Sequence, residues 1–100
     1  MATAHSNRPI HQLLDLLSRR WTLRILWELR AGRLTFRELR ERCDDVSPTS
    51  LNARLKDLRA LALVDHADEG FGYTEWGEAV SAQLLALDRL ADAWWKEHTR

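Results

Sequence analysis

The stretch Thr35–Leu61, TFRELRERCDDVSPTSLNARLKDLRAL, reads as two helices and a tight joint. Thr35 followed three residues later by Glu38 has the spacing of a capping box, in which the hydroxyl accepts from the Glu38 amide and the carboxylate reaches back. A helix is expected to begin there. Cys43-Asp44-Asp45-Val46 breaks the pattern. Ser47-Pro48 restarts it, with Ser47 as N-cap and Pro48 at the first helical position, where a missing amide costs nothing. Leu51, Leu55 and Leu58 then recur at four- and three-residue spacing, which places them on one face to be buried. The opposite face carries Thr49, Ala53 and Lys56, flanked by Ser50 and Asn52. A short helix, a short turn and a capped second helix with small polar residues outward make a helix-turn-helix layout, whose second helix enters a DNA major groove. An ordinary corner between two helices is the competing reading.

Outward from this stretch, the chain of 100 residues, 45% of them hydrophobic, is expected to form one domain with a modest core. It has no apolar run of the roughly eighteen residues needed to span a bilayer and no charged-then-apolar leader, so a cytoplasmic protein without a membrane partner is expected. Its one cysteine cannot form an internal disulfide, and no Cys/His cluster has zinc spacing. No metal or cofactor is expected. The zero net charge hides an asymmetry: residues 19–59 hold eleven Arg or Lys against six acids, while residues 60–100 hold three against eight. A one-sided basic footprint of this kind suits phosphate, whose attraction is local over a Debye length of roughly 8 Å. Solvated helix surface, with Arg paired to Glu28, Glu38 or Glu41, accounts for the same charges.

Residues 1–8 are polar and aperiodic and are expected to form a tail. From Pro9, the pattern Ile10, Leu13, Leu14, Leu16 and Leu17 predicts a short amphipathic helix with a broad apolar band, interrupted by Ser18-Arg19-Arg20. Trp21, Leu23, Ile25, Leu26 and Leu29 predict a second, ending where Gly32 takes a left-handed C-cap. Arg33-Leu34 leaves room for a very short strand. After the central pair, Leu63–Ala67, the acidic turn Asp68-Glu69-Gly70 and Phe71-Gly72-Tyr73 read as a hairpin, in the position of a wing. Its tip carries Asp68 and Glu69 where a DNA-following wing presents Arg or Lys, so its share in DNA binding should be small. Thr74 caps a last helix reaching about Glu97. Val80, Leu84, Leu87, Ala91 and Trp94 form a heptad-like seam on it, widened by Leu85, Leu90 and Trp95. This is more apolar surface than a small core covers, and its simplest partner is the same helix of a second copy.

With these elements placed, the chain resembles the HxlR-type winged helix-turn-helix regulators of bacteria. The resemblance rests on LLDLLSRRWTLRILWEL (13–29), whose Trp21-Thr22-Leu23 and Ile25-Leu26 match the family's tryptophan-threonine segment; on Phe36-x-Glu38-Leu39; on Ser47-Pro48-x-x-Leu51-x-x-Arg54-Leu55-x-x-Leu58; on Leu63-Val64; and on Tyr73-Thr74-x-x-Gly77. It implies a mainly α fold with a small β-hairpin, a winged helix-turn-helix with extra N- and C-terminal dimerisation helices, and a homodimer on a palindromic or repeated operator of double-stranded DNA. It further implies that Thr49, Ser50, Asn52, Ala53 and Lys56 face the bases, with Arg54 and Arg37 toward the backbone. Chemically, Asn52 suits adenine, Ala53 a thymine methyl, and Lys56 guanine or phosphate. The dimer seam would draw on Ile10, Leu13, Leu14 and Leu17 with Val80, Leu84, Leu87, Ala91 and Trp94.

The chain departs from the family pattern in four places. A glycine pair is replaced by Ser18-Arg19, a glycine before Leu-Val by Ala62, the wing is short and acidic, and the N-terminal Cys-Pro that some members use for thiol sensing is absent. Cys43 lies elsewhere and reads as structural, since Asp44 and Asp45 oppose activation by Arg40 and Arg42. Trp21, Trp27, Trp76, Trp94 and Trp95 read as packing residues, although a small-molecule effector pocket at the seam would also use them. A DNA-reading regulator is the leading function. A winged-helix adaptor that has lost DNA is the alternative, favoured by zero net charge and the acidic wing. No Ser/His/Asp set, phosphate-cradling loop or paired carboxylate points to an enzyme, and His11 and His66 read as ordinary residues.

Overall fold

The computed structural model describes residues 8–99. The elements run α1 (Pro9–Leu17), α2 (Thr22–Glu28) continued by a 3₁₀ turn (Leu29–Ala31), α3 (Phe36–Arg42), α4 (Pro48–Ala60), β1 (Val64–Ala67), β2 (Gly70–Tyr73) and α5 (Glu75–His98). Of the expected tail, only Arg8 is described; it is the residue before α1.

Local chemistry sets most boundaries. Thr35 and Glu38 form the full capping box at the start of α3, with Glu38 N to Thr35 Oγ1 at 3.1 Å and Thr35 N to Glu38 Oε1 at 2.9 Å. These bonds pair two amides that the helix start would otherwise leave unpaired. Ser47 caps α4 by accepting from the Ser50 amide, and Thr74 caps α5 by accepting from the Gly77 amide, each at 3.1 Å. The turn between α3 and α4 places Asp44 and Asp45 in the left-handed region (φ 58 and 56), which short polar side chains tolerate better than most. Two arginines brace this turn: Arg40 Nε donates to the Val46 carbonyl at 2.8 Å and Arg24 to the Arg42 carbonyl at 2.6 Å.

One cluster forms the core. Ile25, Leu26 and Leu29 from α2 meet Leu39 of α3, Leu51, Leu55 and Leu58 of α4, and Leu63, Val64 and Phe71 from the wing, with Leu16 of α1 at the edge. The strands pair antiparallel with Val64 opposite Tyr73 and Ala67 opposite Gly70. Leu34 adds an isolated bridge to Phe71, so the room left for a very short strand at Arg33-Leu34 is used by a single paired residue and not by a strand. The Tyr73 hydroxyl donates to the Leu26 carbonyl and ties the wing to α2. Gly77 lets the first turn of α5 lie against the start of β1, since a Cβ there would stand 2.0 Å from the Leu63 carbonyl oxygen.

Two local expectations are corrected. Gly32 does not take the left-handed helical cap; its φ of 137 and ψ of −175 are an extended, glycine-only conformation. The 3₁₀ turn ends the helix first, and Gly32 redirects the chain toward Leu34. Gly70 belongs to β2 rather than to the wing turn, which is Asp68-Glu69 alone. Two further residues other than glycine take the left-handed backbone at helix ends. Trp21 enters α2 at φ 78, and Ala62 follows α4 at φ 59. Around Ala62 the amides of Ala62 and Leu63 bond back to Arg59 and Leu58, the hydrogen-bond pattern of a Schellman cap.

Candidate nucleic-acid interface

Helix α4 is held from behind by Leu51, Leu55 and Leu58, all buried, so its other side must face outward. Thr49, Ser50, Asn52 and Lys56 are exposed there, and Ala53 is half-buried. Ser50 also serves the cap, because its hydroxyl accepts from the Ser47 hydroxyl at 3.0 Å. Thr49, Asn52, Ala53 and Lys56 share one open concavity with Pro48 and with Phe36, the first residue of α3. On its other side Lys56, with Arg59, borders a second groove toward the wing residues Asp65 and His66. His66 stacks on Phe71 with ring centroids 4.0 Å apart.

Arg54 and Arg37 occupy different surroundings. Arg54 is half-buried and pairs with Asp57 at 3.1 Å; the same Asp57 oxygen meets Arg19, beyond the end of α1, also at 3.1 Å. Arg37 projects from α3 with its side chain 89% exposed and only a 3.8 Å approach to Glu41. The basic half of the sequence is thus a poor guide to surface charge. Arg24 pairs with Glu28 at 2.9 Å and Asp44 at 3.3 Å, and Arg33 pairs with Asp65 at 2.6 Å. These arginines are engaged by acids, Arg33 while exposed and Arg24 while half-buried; Arg37, Lys56 and Arg59 are exposed as well. Hydrogen bonding from Arg33 holds the Asp65 carboxyl below the usual carboxylate range. That pairing leaves the wing tip with the charges of Asp68 and Glu69.

The residues expected at a dimer seam divide into two groups. Leu13, Leu17, Val80 and Leu84 are half-buried and pack on the chain's own core. Ile10, Leu14, Leu87, Ala91 and Trp94 are exposed. Beyond Leu84 every described residue of α5 is exposed, and Leu87, Leu90, Trp94 and Trp95 stand 58, 63, 51 and 60% accessible.

This geometry, a leucine-backed second helix with a bridged wing and a long terminal helix, agrees with what the chain resembles. The family model described as HxlR-like helix-turn-helix matches residues 16–99. The chain belongs to the HxlR-like helix-turn-helix family. Among solved structures, quinone-bound YodB from B. subtilis is similar at a TM-score of 0.77 and 28% identity, over 84% of this chain and 96% of that one. A possible HxlR family transcriptional factor from Thermoplasma volcanium GSS1 gives 0.75 and 28%, over 89% and 86%. The reduced form of YodB gives 0.69 and 26%, over 95% and 97%. No curated protein matches the chain. The protein is therefore a DNA-binding transcription regulator with a winged helix-turn-helix fold, in a family of transcription factors rather than enzymes.

Among the described residues no group of His, Cys, Asp and Glu is placed to hold a metal, and no helix is long and apolar enough to cross a membrane. Cys43 is fully buried, and burial pushes its thiol above the ordinary range. Sequence reasoning missed Phe36, Asp57 and Arg33 as parts of the site. The Arg54-to-Asp57 spacing, three residues along a helix, was the available signal for Asp57. The other two meet their partners only after folding.

Proposed function

We propose that the regulator acts as a homodimer, joined through α1 and α5, that sets one α4 into the major groove of each half of a palindromic or repeated operator in the cytoplasm. The observation that carries this reading is the pairing of two unlike surfaces. The small polar side of α4 is uncovered, and so is the apolar side of α5 beyond Leu84. Thr49, Ser50, Asn52, Ala53 and Lys56 would meet base edges and Arg37 a phosphate. Arg54 would act chiefly by fixing α4 through Asp57. Two copies reading half-sites about 34 Å apart, one DNA turn, account for a helix as long as α5. The groove between α2 and α5, lined by Leu23, Trp27, Leu84, Leu87 and Ala91, adjoins this seam and is the place for an aromatic effector. An effector there would bind without a covalent bond to sulfur, since the chain's one cysteine is enclosed.

The test is a gel-shift titration at two salt concentrations on DNA flanking the protein's own gene, with sedimentation of the same samples. Binding should weaken steeply with salt as phosphate contacts release counterions. Lys56→Glu should lower affinity at least tenfold and leave the dimer intact. A dimer that retards no duplex at low salt would instead favour the adaptor alternative, and a monomer that binds one half-site would remove the dimer from the model.

A further inference from the structure

The reading face of α4 is polar except at one spot, where Phe36 and Ala53, both half-buried, and the ring of Pro48 form an apolar floor between α3 and α4. Thr49, Asn52 and Lys56 stand around it as a polar rim. Phe36 is also packed on the core from behind, so the floor is fixed and does not depend on a mobile side chain. Its position is set by two side-chain-capped helix starts. The Thr35 capping box places Phe36 at the first position of α3, and Ser47 places Pro48 at the first position of α4.

An apolar recess on a surface that enters a major groove has one natural occupant. Of the groups that base pairs present there, the C5-methyl of thymine is the one apolar group that projects into the groove; cytosine offers only a ring hydrogen at that position, and the other recognition groups are hydrogen-bond donors and acceptors. We infer that Phe36, Pro48 and Ala53 form a thymine-methyl pocket, and that this pocket specifies a T·A pair at one position of each half-site. The rim is suited to the neighbouring groups. Asn52 offers both an acceptor and a donor, the complement of adenine N6 and N7, and Lys56 offers donors to guanine or phosphate. Phe36 thereby becomes a specificity residue contributed by the first helix of the pair, which otherwise only supports the second.

This inference rests on the DNA-reading function proposed above, and the experiment separates the two. A tight operator is first selected from random duplexes with the full-length protein. Each thymine is then replaced singly by deoxyuridine, which keeps every hydrogen-bonding group and removes only the methyl. At one position per half-site the affinity should fall about fourfold, the size expected for withdrawing one methyl-sized apolar group from a buried contact, and the other thymines should be indifferent. The Ala53→Asn variant, checked by circular dichroism, fills the recess with a polar amide and should bind the thymine and uracil operators equally. Tight binding with a flat uracil scan overturns the pocket and leaves the regulator reading standing. A uracil effect that persists undiminished in Ala53→Asn places the methyl elsewhere and also overturns it. Failure to select any operator removes both.

Discussion

Helices α4 and α5 start the same way, each capped by a hydroxyl that accepts from the amide three residues on, and each carries a row of large apolar side chains. Only the row on α4 is finished within the chain. Leu51, Leu55 and Leu58 are sealed, while Leu87, Leu90, Trp94 and Trp95 lie open along the last turns of α5. A monomer rarely leaves so much contiguous apolar surface in water. The difference teaches that the fold completes the platform for reading DNA by itself, and in the homodimer proposed above a second copy would set the spacing between platforms.

The strongest way to break this contrast is to truncate one residue from each row. Leu55→Ala should lower unfolding free energy by about 2–5 kcal/mol, read by urea denaturation. Leu90→Ala should change it by less than about 0.5 kcal/mol in dilute, monomeric samples. Equal effects would mean that α5 is part of the folding core after all.

Next in size, Leu87→Glu and Trp94→Glu should each weaken self-association by about thirtyfold or more, as expected for losing an anchor worth on the order of 2 kcal/mol. Sedimentation velocity over a concentration series reads the effect, and far-ultraviolet circular dichroism should stay unchanged. The corresponding charge on the other row, Leu58→Glu, should abolish folding instead.

A smaller gain sharpens the same comparison at the far end of α4. Ala62 holds a left-handed backbone that favours glycine, and its side chain is exposed, so Ala62→Gly removes strain without opening a cavity. It should stabilise the protein by about 0.5–1 kcal/mol, a rise in melting temperature of a few degrees. A fall would show that the Schellman cap is already relaxed.

The smallest effect is in acid. The Thr35 backbone amide and then its hydroxyl hold the Glu38 carboxyl below its ordinary range, and Arg33 does so for Asp65. Because both are depressed in the folded state, their stabilisation is complete above the ordinary carboxylate range and is lost as pH falls through the folded-state values. The double variant Glu38→Gln, Asp65→Asn should therefore flatten the acid limb of the stability profile and leave the neutral and basic sides alike in shape.

Much of the fold was legible because its signals are local. A hydroxyl three residues before a glutamate, a serine-proline pair and leucines at helical spacing each dictate structure within one turn, and all are found where expected. The hairpin and the start of α5 followed from similar cues. The arginines were less legible. Arg24 finds Asp44, Arg33 finds Asp65 and Arg19 finds Asp57 across distances in sequence that periodicity does not see. A charge count therefore could not show which of these arginines are tied to acids. The recess at Phe36 was invisible for a related reason, since it exists only where α3 meets α4. The backbone at Trp21 and Ala62 shows the converse limit: tertiary packing imposed a left-handed turn on residues whose own preference opposes it.

The enclosure of Cys43 has a practical consequence for all these measurements. With its one thiol enclosed and pushed by burial above the ordinary range, the chain offers no accessible cysteine with which to couple to another chain in air or to react with a thiol reagent. Preparations should keep without reductant, and any dimer seen in the ultracentrifuge should be non-covalent rather than a stray disulfide bridge.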